Sequence, residues 1–167
     1  MPNQDLAPPP DLTLTLADDA ATVRLGAALG VVLQVGDAVL LTGGLGAGKT
    51  ALARAAILAR LGAAGRVDEV PSPTFTLVQT YEADIPIWHA DLYRLSGEEE
   101  VYELGLDEAF EDAAVFVEWP DRLGGAAPTR WLAIHFDFDR AGEGRIATIR
   151  QQGGGWSAAL KAMEHAV

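Results

Sequence analysis

Leu12-Thr-Leu-Thr-Leu16 alternates apolar and polar residues, the period of a half-buried strand. Asp18 or Asp19 then stands where a helix N-cap belongs, and the apolar spacing carries a helix to about Leu33. Asp37-Ala-Val-Leu-Leu-Thr42 is a short apolar run suited to a buried strand. Ala51 to Leu61 is rich in strong helix formers, and Gly62 offers a C-terminal stop. Further strands are expected at Thr76–Glu82, Ile85–Ala90 and Ala113–Val117, the last apolar throughout like a strand buried on both faces. Ser96-Gly-Glu-Glu99 has the form of a capping box and opens a helix that stops near Gly105. Trp131–Phe138 and Arg145–Arg150 read as two strands of a hairpin. Gly153 to Gly155 form a flexible joint before a short helix, Ser157 to His165.

Strands alternating with helices predict an α/β fold, with a mixed, mostly parallel sheet flanked by helices and an antiparallel hairpin at the C-terminal end. The expected layout is a disordered Pro-rich segment at 1–11, one domain at 12–150, and a tail with a short helix at 151–167. A chain of 167 residues fits one domain with a proper core. No internal repeat is present. No apolar stretch reaches the ~18 residues that span a bilayer, and the N-terminus lacks the basic and apolar regions of a signal peptide. The expected location is cytoplasmic, with no membrane partner.

Composition changes this picture in three ways. The absence of cysteine excludes disulfides, thiol catalysis and Cys-based zinc sites. A net charge of −12 argues against a broad basic face gripping a phosphate backbone. Only two of the 12 basic residues are lysines: Lys161 in the tail and Lys49 in the body of the domain.

Lys49 lies in Gly43-Gly-Leu-Gly-Ala-Gly-Lys-Thr50, which matches G-x-x-x-x-G-K-[ST] without a gap. A chain of this composition would match by chance about 0.002 times. Glycines let the backbone wrap an oxyanion. Successive N–H groups form an anion-binding nest, and the following helix adds its N-terminal dipole. Lys49 supplies a point charge for the β- and γ-phosphates, and the Thr50 hydroxyl is the expected Mg²⁺ ligand. The motif therefore predicts nucleoside triphosphate binding, with ATP and Mg²⁺ as cofactors.

Two acids end apolar runs, as an acid serving the metal or the attacking water must: Asp91 and Glu118. Either can hold Mg²⁺ while the other orients or deprotonates water. Between loop and acids, Val70-Pro-Ser-Pro-Thr-Phe-Thr76 is either a switch-like segment, whose Ser72, Thr74 and Thr76 hydroxyls meet the γ-phosphate or its metal, or a rigid connector. His89, His135 and His165 are scattered without metal-ligand spacing, and His89 reads as a packed or hydrogen-bonded residue.

The rest of the chain narrows the class. The only Asn is Asn3, so the Asn-Lys-x-Asp element that reads guanine is absent. Arg94, Arg122, Arg130 and Arg140 are dispersed and form no kinase-like lid. Gly43–Thr50, Ser72-Pro-Thr-Phe-Thr-Leu-Val78, His89-Ala-Asp-Leu-Tyr-Arg-Leu95 and Val117-Glu-Trp-Pro-Asp121 occur in that order. This set resembles the TsaE family, also called YjeE-like ATPases, over roughly Leu14 to Arg150.

The resemblance implies an ATPase, weak alone, that is required for threonylcarbamoyladenosine modification of tRNA. It would act on TsaB and TsaD and meet tRNA only through that complex. It implies that Lys49 and the loop residues Gly44, Leu45, Gly46, Ala47 and Gly48 bind phosphates. Thr50 and Glu118 would hold Mg²⁺, and Asp91 would be tied to hydrolysis, so that Asp91, Lys49 and Glu118 form the catalytic set. Thr74 would belong to a switch-like segment, Trp119 would lie beside the nucleotide, and the helix start near Asp19 would approach it from the other side. The family usually carries an acid where Gly44 stands. Two other functions fit the motifs less fully: a small-molecule P-loop kinase, and a nucleotide-sensing binding module.

Overall fold

In the computed structural model the described residues are 8–66 and 68–167. Residues 1–7 of the expected N-terminal segment lie outside them. Among the described residues the elements run β1 (Leu12–Leu16), α1 (Asp19–Gly30), β2 (Ala38–Gly43), α2 (Lys49–Ala63), β3 (Val78–Glu82), β4 (Pro86–Asp91), α3 (Glu98–Glu103), α4 (Leu106–Asp112), β5 (Ala114–Glu118), β6 (Trp131–Phe138), β7 (Arg145–Gln152) and α5 (Ser157–Ala166). A 3-10 segment, Pro120–Ala126, joins β5 to β6.

The strands form one sheet in the order β1-β7-β6-β2-β5-β4-β3. β2 pairs in parallel with β5 and β6, and β5 with β4. β1–β7, β6–β7 and β3–β4 are antiparallel. Hence β1, β2, β4, β5 and β6 share one direction, while β3 and β7 oppose it. The antiparallel hairpin is β6–β7. The parallel centre is apolar on both sides because both faces are covered.

Alternation along the strands feeds two cores. Val39 and Leu41 of β2, Phe116 of β5 and Ile134 of β6 face Leu25, Leu29, Leu52 and Ile57 of α1 and α2. Leu40, Val115 and Val117 face Val101, Leu106, Phe110 and Leu123 on the other side. Each fully buried side chain of this size contributes roughly 1.5–3 kcal/mol, so the β2–β5 ribs are the best anchored part of the sheet.

Four helical features depart from the sequence reading. α1 ends at Gly30, short of Leu33, because Arg60 takes its terminal carbonyls: Nη1 donates to the oxygens of Gly30, Val31 and Leu33 at 3.3, 3.1 and 2.7 Å. α2 runs past Gly62, and its stop is Gly65 at φ 72. There the Arg66 amide bonds the Leu61 carbonyl at 2.8 Å and the Gly65 amide bonds that of Gly62 at 3.0 Å, a Schellman closure. The Ser96–Glu99 capping box does not form. Gly97 is the N-cap of α3, without a side-chain bond, and Ser96 instead hydrogen-bonds Glu100. Finally, α4 follows the stop at Gly105, which sits at φ 80 and starts the new helix.

Among the described residues, the segments flanking the sheet on both sides are tied down. The Asp11 amide donates to the Ile149 carbonyl at 2.9 Å, extending β1 along β7. Gly153, Gly154 and Gly155 all adopt positive φ, and Arg130 holds their turn through the carbonyls of Gly154 and Gly155 at 2.9 and 3.2 Å. Beyond it α5 packs on α1, burying Trp156 and Met163 in the first core.

Candidate nucleotide site

β2 delivers the chain to the glycine loop at the C-terminal edge of the sheet, where open α/β sheets bind ligands. Gly43 turns there at φ 139, and a Cβ on it would stand 2.8 Å from the Phe136 carbonyl oxygen, so only glycine fits. Gly46 and Gly48 follow at φ 74 and 118, and α2 begins at Lys49. The carbonyls of this loop are held by two cations. Lys49 Nζ donates to the oxygens of Gly43 and Gly44, both at 2.7 Å. Arg145, reaching across from β7, donates to those of Ala47 and Gly46 at 3.2 and 3.3 Å. The Ala47 amide closes the turn on the Gly44 carbonyl at 3.2 Å, and with the other carbonyls taken by these cations the remaining loop N–H groups are left for an anion, beside the positive end of α2.

Asp91 and Glu118 close the opposite wall. They end β4 and β5 and are directly paired in register. Glu118 is 2% exposed, and its Oε1 accepts from the Thr50 hydroxyl at 2.7 Å. Its Oε2 lies 2.7 Å from His89 Nε2. Asp91 accepts from the Tyr93 amide at 3.0 Å and from the Thr74 hydroxyl at 3.3 Å. The Asp91 amide in turn donates to the Leu77 carbonyl at 2.8 Å, which ties the proline-bounded segment to the end of β4.

The walls enclose a cleft of about 360 Å³ lined by Leu45 to Ala51, Thr74, Asp91, Tyr93, Arg94, Glu118 and Trp119. Leu45, Gly46, Ala47, Gly48, Lys49, Thr50, Thr74, Asp91, Glu118 and Trp119 are thus brought to one place. Gly44 and Asp19 are not among the lining residues. Gly44 contributes its carbonyl to Lys49. Asp19 is the exposed first residue of α1, whose N-cap is Asp18, bonded to the Ala21 amide at 2.8 Å.

The sequence reading did not single out Ala51, Tyr93 or Arg145, and it set Arg94 among the dispersed arginines. Arg94 lies at the cleft, its guanidinium 4.7 Å from the Phe75 ring. The signal for Tyr93 and Arg94 was their place directly after the acid that ends β4. Arg145 is 98 residues from Ala47, and only the β6–β7 hairpin brings it to the loop.

Burial pushes the Lys49 ammonium below the usual lysine range, and the negative charges of Glu118 and Asp91 pull it partly back. Among the described residues no group of three or more His, Cys, Asp or Glu side chains is placed to hold a metal alone. The hard oxygens of Thr50 and Glu118, opening on a cleft that can admit water and phosphate, suit Mg²⁺, which keeps several waters and takes only one or two protein carboxylates. Among the described residues, no helix is long and apolar enough to cross a membrane.

A glycine-rich loop between a central parallel strand and a helix, facing acids at the ends of the adjacent strand β5 and of β4 beyond it, defines a P-loop nucleotide-binding domain. The family described as threonylcarbamoyl adenosine biosynthesis protein TsaE matches residues 16–146. The chain belongs to the TsaE family, a family of P-loop ATPases. A Rickettsia conorii protein named tRNA threonylcarbamoyladenosine biosynthesis protein TsaE is 43% identical over 108 residues, covering 64% of this chain and 60% of that protein. A protein of the same name from Mycobacterium bovis is 36% identical over 146 residues, covering 81% of this chain and 84% of that one. The chain thus spans about three-fifths of the length of the Rickettsia conorii relative and most of the mycobacterial one. The solved structure of Bacillus subtilis YdiB shares the fold, with a TM-score of 0.74 at 24% identity over 92% of this chain and 94% of that one.

Proposed function

We propose that this chain binds ATP with Mg²⁺ in the cleft and hydrolyses it in the service of tRNA threonylcarbamoyladenosine formation, acting on the TsaB–TsaD pair in the cytoplasm. The observation that carries the reading is the 2.7 Å hydrogen bond from Thr50, the last residue of the phosphate loop, to Glu118 at the end of β5. It joins the two halves of a phosphate–metal site that are 68 residues apart in sequence.

In this reading Lys49 leaves the Gly43 and Gly44 carbonyls for the phosphates, and the loop amides hold the β- and γ-phosphate oxygens. Thr50 and Glu118 hold the metal. A Mg²⁺ ion held by these two residues would supply neutralisation of phosphate charge. Asp91 stands beside Glu118 with Thr74 already on one oxygen, placed to orient a water against the terminal phosphate. Trp119, its ring 4.7 Å from Lys49 Nζ, forms a wall of the same site. With a net charge of −12, the chain is suited to work on a protein partner and to leave tRNA to it. The names of the relatives and the order of the four motifs support the tRNA assignment.

The test has two parts. Titration calorimetry with ATP should show affinity that depends strongly on Mg²⁺ and drops in EDTA. In a reconstituted system with TsaB and TsaD, Lys49→Ala and Asp91→Ala should each impair multiple-turnover modification. Undiminished turnover in both variants would falsify the ATPase role. If Asp91→Ala alone keeps full activity, the chain acts as a nucleotide-dependent binding module instead.

A further inference from the structure

β4 carries one polar group that the nucleotide reading leaves unused. His89 is 0% exposed. It precedes Asp91 by two residues, so both side chains leave the same face of the strand. That face packs toward α1 and α2, since Ile87 belongs to their core. Phe116 stands beside His89 in register on β5.

An imidazole is a poor choice for so enclosed a place. Burying it costs solvation that an apolar side chain would not lose. Among the described residues its Nδ1 has no hydrogen-bond partner at all. Its one polar engagement is Nε2 to Glu118 Oε2 at 2.7 Å. The tautomer that matches a carboxylate acceptor is the one with the proton on Nε2. The other Glu118 oxygen faces the Thr50 hydroxyl. A hydroxyl on a rotatable side chain is a loose tether, whereas a packed ring on a strand paired on both sides is a fixed one.

We propose that His89 is the positioning residue for Glu118: it grips Oε2 from inside the sheet so that Oε1 stays turned toward Thr50 and the metal that the two are proposed to hold. This inference rests on the reading of the cleft given above. It makes a specific division of labour. Loss of His89 should leave nucleotide binding by the loop intact and remove only the part of the affinity that Mg²⁺ adds.

The experiment measures ATP affinity by calorimetry with Mg²⁺ and with EDTA, and takes the ratio for each protein. H89L keeps bulk but has no donor. H89Q can place an amide N–H where the ring nitrogen lies. H89L is expected to lower the ratio about 10–100-fold, the usual effect of removing an outer partner of a metal ligand, with its EDTA affinity unchanged. H89Q is expected to recover most of the ratio. Thermal melts without nucleotide verify folding, and H89N, whose shorter amide stops short of Glu118, stands in if H89L does not fold. An unchanged ratio in H89L, a folded H89Q as poor as H89L, or an EDTA affinity that falls in parallel would each overturn the proposal. So would failure of all three variants to fold, since the ring would then be a purely structural residue. A wild-type protein with no metal-linked gain would instead sink the reading of the cleft itself, and this inference with it.

Discussion

Lys49 Nζ sits 4.7 Å from the centroid of the Trp119 ring, over an indole that is itself packed against Tyr93 at 4.9 Å between ring centres, the two rings tilted by 49°. The lysine that starts α2 and the residue that follows the acid of β5 therefore form one wall. A cation against an aromatic face gains about 0.5–2 kcal/mol depending on its desolvation. The same wall helps keep water from the ammonium, and that desolvation gives Lys49 its own contribution to the pH dependence of the free protein's stability.

Because burial lowers the Lys49 pKa from 10.5, the folded chain releases this proton more readily than the unfolded chain. Between the lowered value and 10.5 the unfolded state binds more protons, so stability rises with pH across that window. Below it the charged lysine is a standing cost to the nucleotide-free fold. Lys49→Met should accordingly melt higher than wild type near neutral pH, with the gap narrowing toward pH 10.5. The same variant should lose at least about tenfold in ATP affinity, ~1.4 kcal/mol. Calorimetric melts across pH, paired with a binding titration, check both. A variant that melts lower than wild type at neutral pH would show that the carbonyl bonds of Lys49 outweigh its desolvation.

The loop and its flanks were legible in the sequence because their signal is local. A gapless phosphate motif, an apolar strand before it and a helix after it are all contiguous. The acids at 91 and 118 were visible as the ends of apolar runs, and the β4–β5 register brings them side by side. Their bonding partners were not visible. Thr50 with Glu118, Arg145 with Ala47, and Arg60 with the end of α1 are contacts between distant segments, set by strand order. The stop of α2 was misplaced because Gly62 and Gly65 are equal candidates by composition, and only the closure by Arg66 separates them. The Ser96 box failed because its acid pairs from position 100 and not 99.

Helix α1 lies so close to α2 that a Cβ on Gly30 would stand 2.1 Å from the Ala56 carbonyl oxygen, and one on Gly26 would stand 2.4 Å from that of Leu52. The obstacle is backbone and cannot rotate away. Gly30→Ala should therefore destabilise the fold by about 1–3 kcal/mol despite the better helix propensity of alanine. Ala56→Gly should fail to rescue it, because trimming that side chain leaves the carbonyl in place. Urea denaturation of the single and double variants decides this. A neutral or stabilised Gly30→Ala would mean that the helices slide apart freely.

Trp119 adopts φ 58 and ψ 54, the left-handed region, immediately before Pro120. A non-glycine residue there carries about 1–2 kcal/mol of backbone strain. The strain turns the chain off β5 and lays the indole across Lys49. Truncation separates the two effects. Trp119→Ala and Trp119→Gly should lose ATP affinity equally, since both lack the ring. Trp119→Gly should nevertheless be the more stable of the two by about 1 kcal/mol. Equal stabilities in urea would indicate that the turn relaxes once the indole is gone.

At Gly44, where the resemblance to the TsaE family implies an acid, the backbone does not require glycine. Its φ lies outside the left-handed range, and a Cβ built on it meets nothing within 4 Å. Gly44→Glu should therefore fold with stability within about 0.5 kcal/mol of wild type. Its electrostatic effect is predictable in sign. A carboxylate at the loop, near the bound phosphates, repels them by up to ~1 kcal/mol at contact range in water, or about fivefold in affinity. The Debye length falls from about 10 Å at 0.1 M salt to about 3 Å at 1 M. The loss of ATP affinity should thus be clear at low ionic strength and fade at high. A loss that persists undiminished in 1 M salt would mean that the new side chain distorts the loop, and would show that Gly44 is there for shape rather than for charge.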